Sequence, residues 1–180
     1  MREHVLVASG FGGQGIMLLG QILATAAMVD NKFSTWLPSY GPEMRGGTAN
    51  CTVVISDEHI GSPVTDSPRE AIVMNIPSLL KFEERIQPGG LLVINSSVVD
   101  REPERKDIEI VKVDANKIAE RLGNIRAANM VILGAYLAKT GAVSEQSVEK
   151  ALKMKFGGKK DSIVDLNMKA LRAGAEAIKN

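Results

Sequence analysis

The strongest constraint on the fold is a short apolar strand, a glycine-rich turn and a long apolar helix, in that order, near the start of the sequence. Residues 4–9 are mainly apolar, residues 10–15 read GFGGQG, and residues 16–29 form an apolar pattern of helical length. Such a strand is typical of a sheet buried on both faces. Glycines in the turn let the backbone approach a ligand or another segment closely. The pattern of residues 4–29 therefore predicts a strand followed by a helix, a βα unit.

The rest of the chain continues to alternate strand and helix patterns. Further strands are predicted at residues 35–37 (ended by Pro38), 48–56, 71–75, 91–95 and 108–113, and helices at 77–86, 115–122, 127–140, 144–153 and 163–179. This alternation indicates an α/β fold with a mostly parallel sheet and helices on both faces. A length of 180 residues suits one domain, which we assign to residues 1–180.

Charge and cysteine content exclude several classes of function. The chain has 22 basic and 21 acidic side chains, a net charge of +1 that provides no electrostatic footprint for nucleic acid. Its one cysteine, Cys51, cannot form an intrachain disulfide or supply the four thiolates of an iron–sulfur cluster. The two histidines lie far apart in the sequence, without metal-ligand spacing. We therefore expect any redox metal to lie on another chain.

The distribution of charge bears on location and partners. The uncharged run from residue 5 to residue 29 is long enough to suggest a membrane span, but glycines and glutamines interrupt it. The first residues also lack the basic character of a signal peptide. We therefore expect no membrane contact and a cytoplasmic protein. Residues 1–60 carry only 8 charged side chains, which predicts a first third that is buried or covered by partners.

The glycine turn fits the G-x-G-x-x-G pattern of dinucleotide sites, between a strand and a helix. A helix N-terminus there favours anions. A dinucleotide site also needs an Asp or Glu at the end of the second strand, which here ends in Leu37-Pro38-Ser39-Tyr40. Asp30 is expected at the end of the preceding helix instead. The motif alone leaves three interpretations open: a dinucleotide site, a phosphate or partner contact, and a plain tight turn.

A second unusual loop spans residues 39–47, with the sequence SYGPEMRGG. Arg45 in such a loop can bind a carboxylate or phosphate, while Gly46 and Gly47 let another chain approach closely. In the alternative interpretation Glu43 and Arg45 are surface charges on a turn that the glycines shape.

Two single residues add to the candidates. Asn129 stands among apolar residues of a predicted helix. It is either directed at an interface or serves as a capping or core hydrogen-bonding residue. Cys51 lies in a predicted buried strand and is expected to be an inert core residue rather than a nucleophile.

The two loops together resemble the gamma subunit of the 2-oxoacid:ferredoxin oxidoreductases. The form YGPEMRGGTA at residues 40–49 looks most like the 2-oxoglutarate branch, also called 2-oxoglutarate synthase. Related 2-ketoisovalerate and indolepyruvate enzymes have similar chains. The segment NMVILGA at residues 129–135 also matches the family's later helix, so the resemblance spans almost the whole chain.

The resemblance implies a Rossmann-like α/β domain that acts as one subunit of a larger enzyme, with alpha, beta and delta-type partners. Such an enzyme decarboxylates a 2-oxoacid on thiamine diphosphate, passes electrons singly to iron–sulfur clusters and transfers the acyl group to coenzyme A. Ferredoxin is the external acceptor. The resemblance places thiamine diphosphate, Mg²⁺ and clusters on the partners, so this chain alone is expected to bind no cofactor and to be inactive.

The resemblance also implies site residues, in two loops at the subunit interface near the active site. The expected interface residues are Gly12, Gly13, Gln14, Gly15, Tyr40, Glu43, Arg45, Gly46 and Gly47, with Asn129 as a further candidate. No catalytic residue is expected on this chain. Gln14 and Arg45 are good hydrogen-bond donors, and we hypothesise that they order the coenzyme A or substrate end of the cavity. The alternative from another class is a free-standing nucleotide-binding regulatory module, which the missing acidic residue disfavours.

Overall fold

Strands and helices alternate along residues 3–40, 48–157 and 161–179, the parts of the chain that the computed structural model describes. Two short 3₁₀ turns, Glu83–Arg85 and Ile125–Ala127, complete the described elements. The strands are β1 (His4–Phe11), β2 (Phe33–Tyr40), β3 (Thr48–Ser56), β4 (Glu70–Val73), β5 (Leu91–Asn95) and β6 (Glu109–Val113). The α-helices are α1 (Ile16–Val29), α2 (Ile76–Phe82), α3 (Ala115–Arg121), α4 (Ala128–Thr140), α5 (Glu145–Phe156) and α6 (Asp161–Glu176).

The six strands form one sheet in the order β2-β3-β1-β4-β5-β6. The pairs β1–β4, β4–β5 and β5–β6 are parallel, whereas β3 lies between β1 and β2 and is antiparallel to both. The sheet is therefore mostly parallel, which confirms the predicted fold class.

The second strand is longer than its prediction. It runs from Phe33 to Tyr40, and Pro38 lies within it, opposite Cys51 of β3. The prediction that Pro38 ends this strand is wrong because β2 is an edge strand. An edge strand tolerates proline, since one side of its backbone has no neighbour to receive an N–H.

One face of the sheet carries most of the helices. Side chains from all six strands pack there against α1, α3, α4, α5 and α6 in the larger apolar core. Gly20 brings α1 close to the sheet, because a Cβ atom there would lie 2.5 Å from Cys51 Sγ and 2.8 Å from Trp36 Nε1. Burial of these aliphatic side chains is the main stabilising contribution, worth roughly 1.5–3 kcal/mol for each fully buried large side chain.

Two helices on this face touch through glycines. A Cβ atom on Gly134 of α4 would collide with the carbonyl oxygen of Leu171 in α6, and one on Gly174 of α6 would collide with the carbonyl oxygen of Val131 in α4. The contact is reciprocal, so the two backbones approach as closely as their glycines allow.

The opposite face has a smaller core. It joins β4 and β5 to α2 and to the segment that follows β5, with the members Ala71, Val73, Leu79, Ile86, Leu92, Ile94, Val99 and Ile108. Helices thus lie on both faces, as predicted, although α2 is short. Among the described residues, no helix is both long and apolar enough to cross a bilayer.

A buried polar group ties β1, β4 and α4 together at the amino ends of the parallel strands. Glu70 is 5% exposed; its Oε1 lies 2.8 Å from His4 Nδ1, and its Oε2 accepts a hydrogen bond from the Tyr136 hydroxyl at 2.7 Å. A buried carboxylate needs such partners, because unpaired burial of its charge is costly. This group therefore belongs to the framework of the fold, at the edge opposite the glycine turn.

Candidate functional site

The glycine turn lies at one edge of the sheet, beside the ends of several strands. Residues 10–15 comprise the end of β1 and its connection to α1, at the carboxyl edge of the parallel strands, which is where ligands bind in open α/β sheets. The antiparallel β3 begins at the same edge, with Thr48 opposite Phe11. Tyr40 at the end of β2 lies in line with Ala49 and Gly10, two strand spacings (about 10 Å) from β1. Tyr40 and Thr48, which flank residues 41–47, therefore lie at the same edge of the sheet as the glycine turn.

The turn itself has a defined backbone shape. The carbonyl of Phe11 accepts a hydrogen bond from the N–H of Gln14 at 3.1 Å, which closes a four-residue turn. Gly13 and Gly15 have φ angles of 93° and 77°, a region that glycine adopts without strain. Gly12 and Gly13 are exposed, whereas Gln14 and Gly15 are half-buried.

The side chain of Gln14 spans the turn from within. Its Oε1 accepts the N–H of Phe11 at 2.6 Å, and its Nε2 donates to the carbonyl of Met74, just after β4, at 2.8 Å. A Cβ atom on Gly10 would lie 2.6 Å from the same Oε1, so glycine at that position makes room for the amide. Both halves of the Gln14 amide are thus used inside the chain.

Asn129 supports the other end of the turn from the first turn of α4. Its side chain is 2% exposed, and its Nδ2 donates to the carbonyl of Gly15 at 3.1 Å. Its Oδ1 accepts the N–H of Met130 at 2.9 Å. A Cβ atom on Gly15 would collide with the Asn129 amide, so glycine is required there for contact as well as for conformation. Of the two interpretations of Asn129, the structure supports the core hydrogen-bonding residue.

A polar group beside the turn was missed by the sequence analysis. Ser9 Oγ of β1 lies 2.7 Å from Ser78 Oγ, and Asn75 Oδ1 accepts the N–H of Ser78 at 2.8 Å as the N-cap of α2. Asn75 Nδ2 is buried without a hydrogen-bond partner among the described residues. The sequence signal was present, because an Asn shortly before a Pro is a typical helix start.

The second loop is described only at its ends. Tyr40 is 70% exposed on the same face of the sheet as α1. The predicted site residues Glu43, Arg45, Gly46 and Gly47 lie outside the described residues.

The order of the strands argues against a dinucleotide site at the glycine turn. The strand beside β1 on this side is β3, not the second strand along the chain, so the end of β2 is displaced from the glycine turn by one extra strand. None of residues 38–40 and 48–50 carries a carboxylate. Two elements of a dinucleotide site, an adjacent second strand and its acidic end, are therefore missing from this part of the structure.

Asp30 has a structural role at the end of α1, as its predicted position implies. Its carboxylate accepts the N–H of Ser144 at 2.7 Å and the hydroxyl groups of Ser144 and Ser147. Burial opposes ionisation of Asp30, but the hydrogen bonds from Ser147 and Ser144 outweigh it and lower the pKa of the carboxyl below its usual value. Asp30 thereby holds the start of α5 and is not placed to bind a ribose.

The described residues contain neither a reactive thiol nor a cluster of metal ligands. Cys51 is fully buried in β3, and burial raises the pKa of its thiol to about 11. The thiolate that a nucleophile or metal ligand requires is thus strongly disfavoured at neutral pH. Within residues 3–40, 48–157 and 161–179, no three His, Cys, Asp or Glu side chains are grouped closely enough to hold a metal ion.

Comparison with known families decides what kind of chain presents this turn. A family model described as pyruvate ferredoxin/flavodoxin oxidoreductase matches residues 5–177. The chain belongs to this family. The resemblance to gamma-type chains of the 2-oxoacid:ferredoxin oxidoreductases is thereby confirmed.

Individual family members show how far the similarity extends. The chain is 40% identical over 177 residues to ketoisovalerate oxidoreductase subunit VorA of Methanothermobacter marburgensis, covering 97% of this chain and 36% of that protein. It is 35% identical over 185 residues to 2-oxoglutarate synthase subunit KorC of the same organism, covering 99% and 97%. It thus spans about a third of the length of VorA. The crystal structure of a keto/oxoacid ferredoxin oxidoreductase gamma subunit from Geobacter sulfurreducens has a TM-score of 0.82 and 32% identity, with 97% of each chain covered.

Proposed function

We propose that this protein is the gamma subunit of a 2-oxoacid:ferredoxin oxidoreductase. The enzyme would convert a 2-oxoacid, coenzyme A and oxidised ferredoxin into an acyl-CoA, carbon dioxide and reduced ferredoxin. The observation that carries the proposal is the glycine turn, which Gln14 and Asn129 hold from within at the carboxyl edge of the sheet, in a chain of this family. We assign residues 1–180 to one gamma-type domain that works with alpha, beta and delta-type partners in the cytoplasm.

The described side chains do not fit the metal and cluster cofactors of such an enzyme. Thiamine diphosphate with Mg²⁺ supplies the decarboxylation chemistry and iron–sulfur clusters carry the electrons, and we assign all of them to the partner subunits. The one cysteine is buried with a raised pKa, and the described residues offer no metal-ligand group. We therefore expect the isolated chain to be inactive.

The contribution of this chain is a surface that completes the active-site region. Gly12, Gly13 and Tyr40 are exposed at one edge of the sheet, where another chain can approach them. Arg45, in the predicted loop of residues 39–47, suits a carboxylate or phosphate because its guanidinium presents several donors in one plane. Both the oxygen and the nitrogen of the Gln14 side-chain amide are engaged within the chain, so we assign direct contact with coenzyme A or the 2-oxoacid to Arg45.

Two substrates are supported by different observations. The motif YGPEMRGGTA at residues 40–49 favours 2-oxoglutarate, and the KorC relative is a 2-oxoglutarate synthase subunit. The higher identity to VorA favours 2-ketoisovalerate as the second candidate. We propose 2-oxoglutarate, with succinyl-CoA as the product.

The test is anaerobic purification of the native complex through a tag on this chain. Co-purifying chains are identified by mass, and coenzyme-A-dependent viologen reduction is assayed with 2-oxoglutarate, 2-ketoisovalerate, an aryl pyruvate and pyruvate. Thiamine-diphosphate and iron–sulfur partners with a preference for 2-oxoglutarate are expected. A preference for 2-ketoisovalerate or an aryl pyruvate would overturn the substrate but keep the subunit. A partner-free monomer without this activity would overturn the subunit itself.

A further inference from the structure

Two carbonyl groups of the glycine turn are held by hydrogen bonds within the chain. The carbonyl of Phe11 accepts the N–H of Gln14 at 3.1 Å. The carbonyl of Gly15 accepts the N–H of Leu19 at 3.0 Å and Nδ2 of Asn129 at 3.1 Å. In a trans peptide the C=O and N–H of one plane point in opposite directions. The anchors therefore direct the N–H groups of Gly12 and Ile16 away from the anchored carbonyls.

The turn needs side-chain hydrogen bonds to keep this conformation. Glycine adopts positive and negative φ with similar ease, so a sequence with three glycines among residues 12–15 does not fix its own peptide planes. The N-cap of α1 is Gly15, which supplies no side-chain cap. The Gln14 side chain joins the Phe11 N–H to the Met74 carbonyl. The Asn129 side chain, from a position 114 residues away in the sequence, donates to the Gly15 carbonyl.

We propose that Gln14 and Asn129 are positioning residues for the coenzyme-A-dependent reaction. Neither contacts coenzyme A or the 2-oxoacid. Gln14 joins the Phe11 N–H to the Met74 carbonyl, and Asn129 holds the Gly15 carbonyl, so that together they keep the turn in one conformation at the edge of the sheet. This inference rests on the proposed function. It predicts that losing either side-chain donor impairs turnover by letting the turn sample other conformations, with the subunits still assembled.

Isosteric variants remove the donors without creating cavities. Gln14→Glu places an oxygen against the carbonyl of Met74, and Asn129→Asp places one against the carbonyl of Gly15. Gln14→Met is an uncharged second variant that removes both amide bonds at a half-buried position.

Two matched controls lose the same kind of bond far from the turn. Gln87→Glu removes the bond from Gln87 Nε2 to the carbonyl of Ser67 at 2.9 Å. Asn167→Asp removes the bond from the buried Asn167 Nδ2 to the carbonyl of Ile163 at 2.8 Å.

Each variant is measured in the assembled enzyme by two readouts: kcat and KM for coenzyme A, and amide hydrogen exchange of peptides covering residues 10–19. We expect kcat/KM to fall about tenfold or more in the turn variants, in line with loss of about 1.4 kcal/mol of transition-state stabilisation. Exchange in the turn should accelerate in the same variants. Both controls should stay within about twofold of wild type in both readouts.

The inference is overturned if the turn variants match the controls in exchange or in kcat/KM. It is also overturned if their lost activity only tracks lost assembly. A wild-type complex with no coenzyme-A-dependent activity would contradict the proposed function instead, so the two failures are distinguishable.

Discussion

Single residues decide the shape of the turn between β1 and α1. Gly13 and Gly15 allow the backbone to take φ angles of 93° and 77°, and Gln14 and Asn129 hold the resulting planes. The glycines allow many conformations, and the two amides select one of them. The position of the turn was predictable from residues 10–15, whereas the bond to Asn129 was not, because it joins residues 114 positions apart.

Arg45 provides a kinetic prediction at the residue scale. Replacing Arg45 with Ala in the assembled enzyme should raise KM for coenzyme A or the 2-oxoacid about tenfold or more, since a hydrogen bond to a charged group is worth roughly 1.5–3 kcal/mol. Steady-state kinetics with each substrate varied in turn measure the effect. Arg101→Ala is the control, because Arg101 pairs with Glu104 in an exposed loop. Unaltered kinetics in a fully assembled complex would refute the role of Arg45.

Asp30 provides a prediction about pH. Its pKa is lower in the folded state than the ordinary value of 3.8, so its ionised form stabilises the fold above that value, and this contribution is lost as the pH falls through the folded-state pKa. Asp30→Ala should lower the free energy of unfolding by about 1–2 kcal/mol at pH 7, and by less near pH 3. Urea denaturation at both pH values measures the difference. Asp57→Ala, at an exposed position, is the control, and a deficit that persists unchanged at low pH would contradict the account.

At the scale of elements, the alternation of strands and helices was predictable, but the direction of β3 was not. Periodicity shows that residues 48–56 form a strand without showing which neighbours it pairs with. Its place between β1 and β2 follows from tertiary pairing, and so does the edge position that lets Pro38 remain in a strand. The register then brings Tyr40 and Gly10 into one row, which no local pattern indicates.

The contact between α4 and α6 carries a stability prediction. Gly134→Ala gains about 1 kcal/mol of helix propensity but forces a Cβ atom against a backbone carbonyl that cannot move independently. Overpacking of this kind costs about 1–3 kcal/mol and occasionally more, so we expect a net loss of stability. Thermal and urea unfolding check the sign. Gly61→Ala is the control, since its Cβ atom would meet nothing within 4 Å, and a Gly134→Ala protein as stable as wild type would show that the helices are not in close contact.

The sheet order yields a binding prediction that separates the two classes of function. Because β3 separates β1 from β2, the isolated chain should show no saturable binding of NADH or FAD at millimolar concentration by calorimetry. The glycine turn alone does not supply the ribose contact that such ligands require. Stoichiometric binding of either dinucleotide would favour the nucleotide-binding module.

At the scale of the whole molecule, most helices lie on one face and the glycine turn lies at one edge. The cores and the Glu70 group hold this framework, and the described part of the turn region carries neither a metal-ligand group nor a reactive thiol. This framework is consistent with the proposed function, in which the chain completes a site that other chains begin.

The most direct test of this account is an omission experiment. The partner subunits are prepared anaerobically without this chain, and coenzyme-A-dependent reduction of ferredoxin by 2-oxoglutarate is measured before and after the purified chain is added back. The account predicts little or no activity without the chain and recovery that saturates at a fixed stoichiometry. Full activity of the partners in its absence would contradict the claim that this chain completes the enzyme.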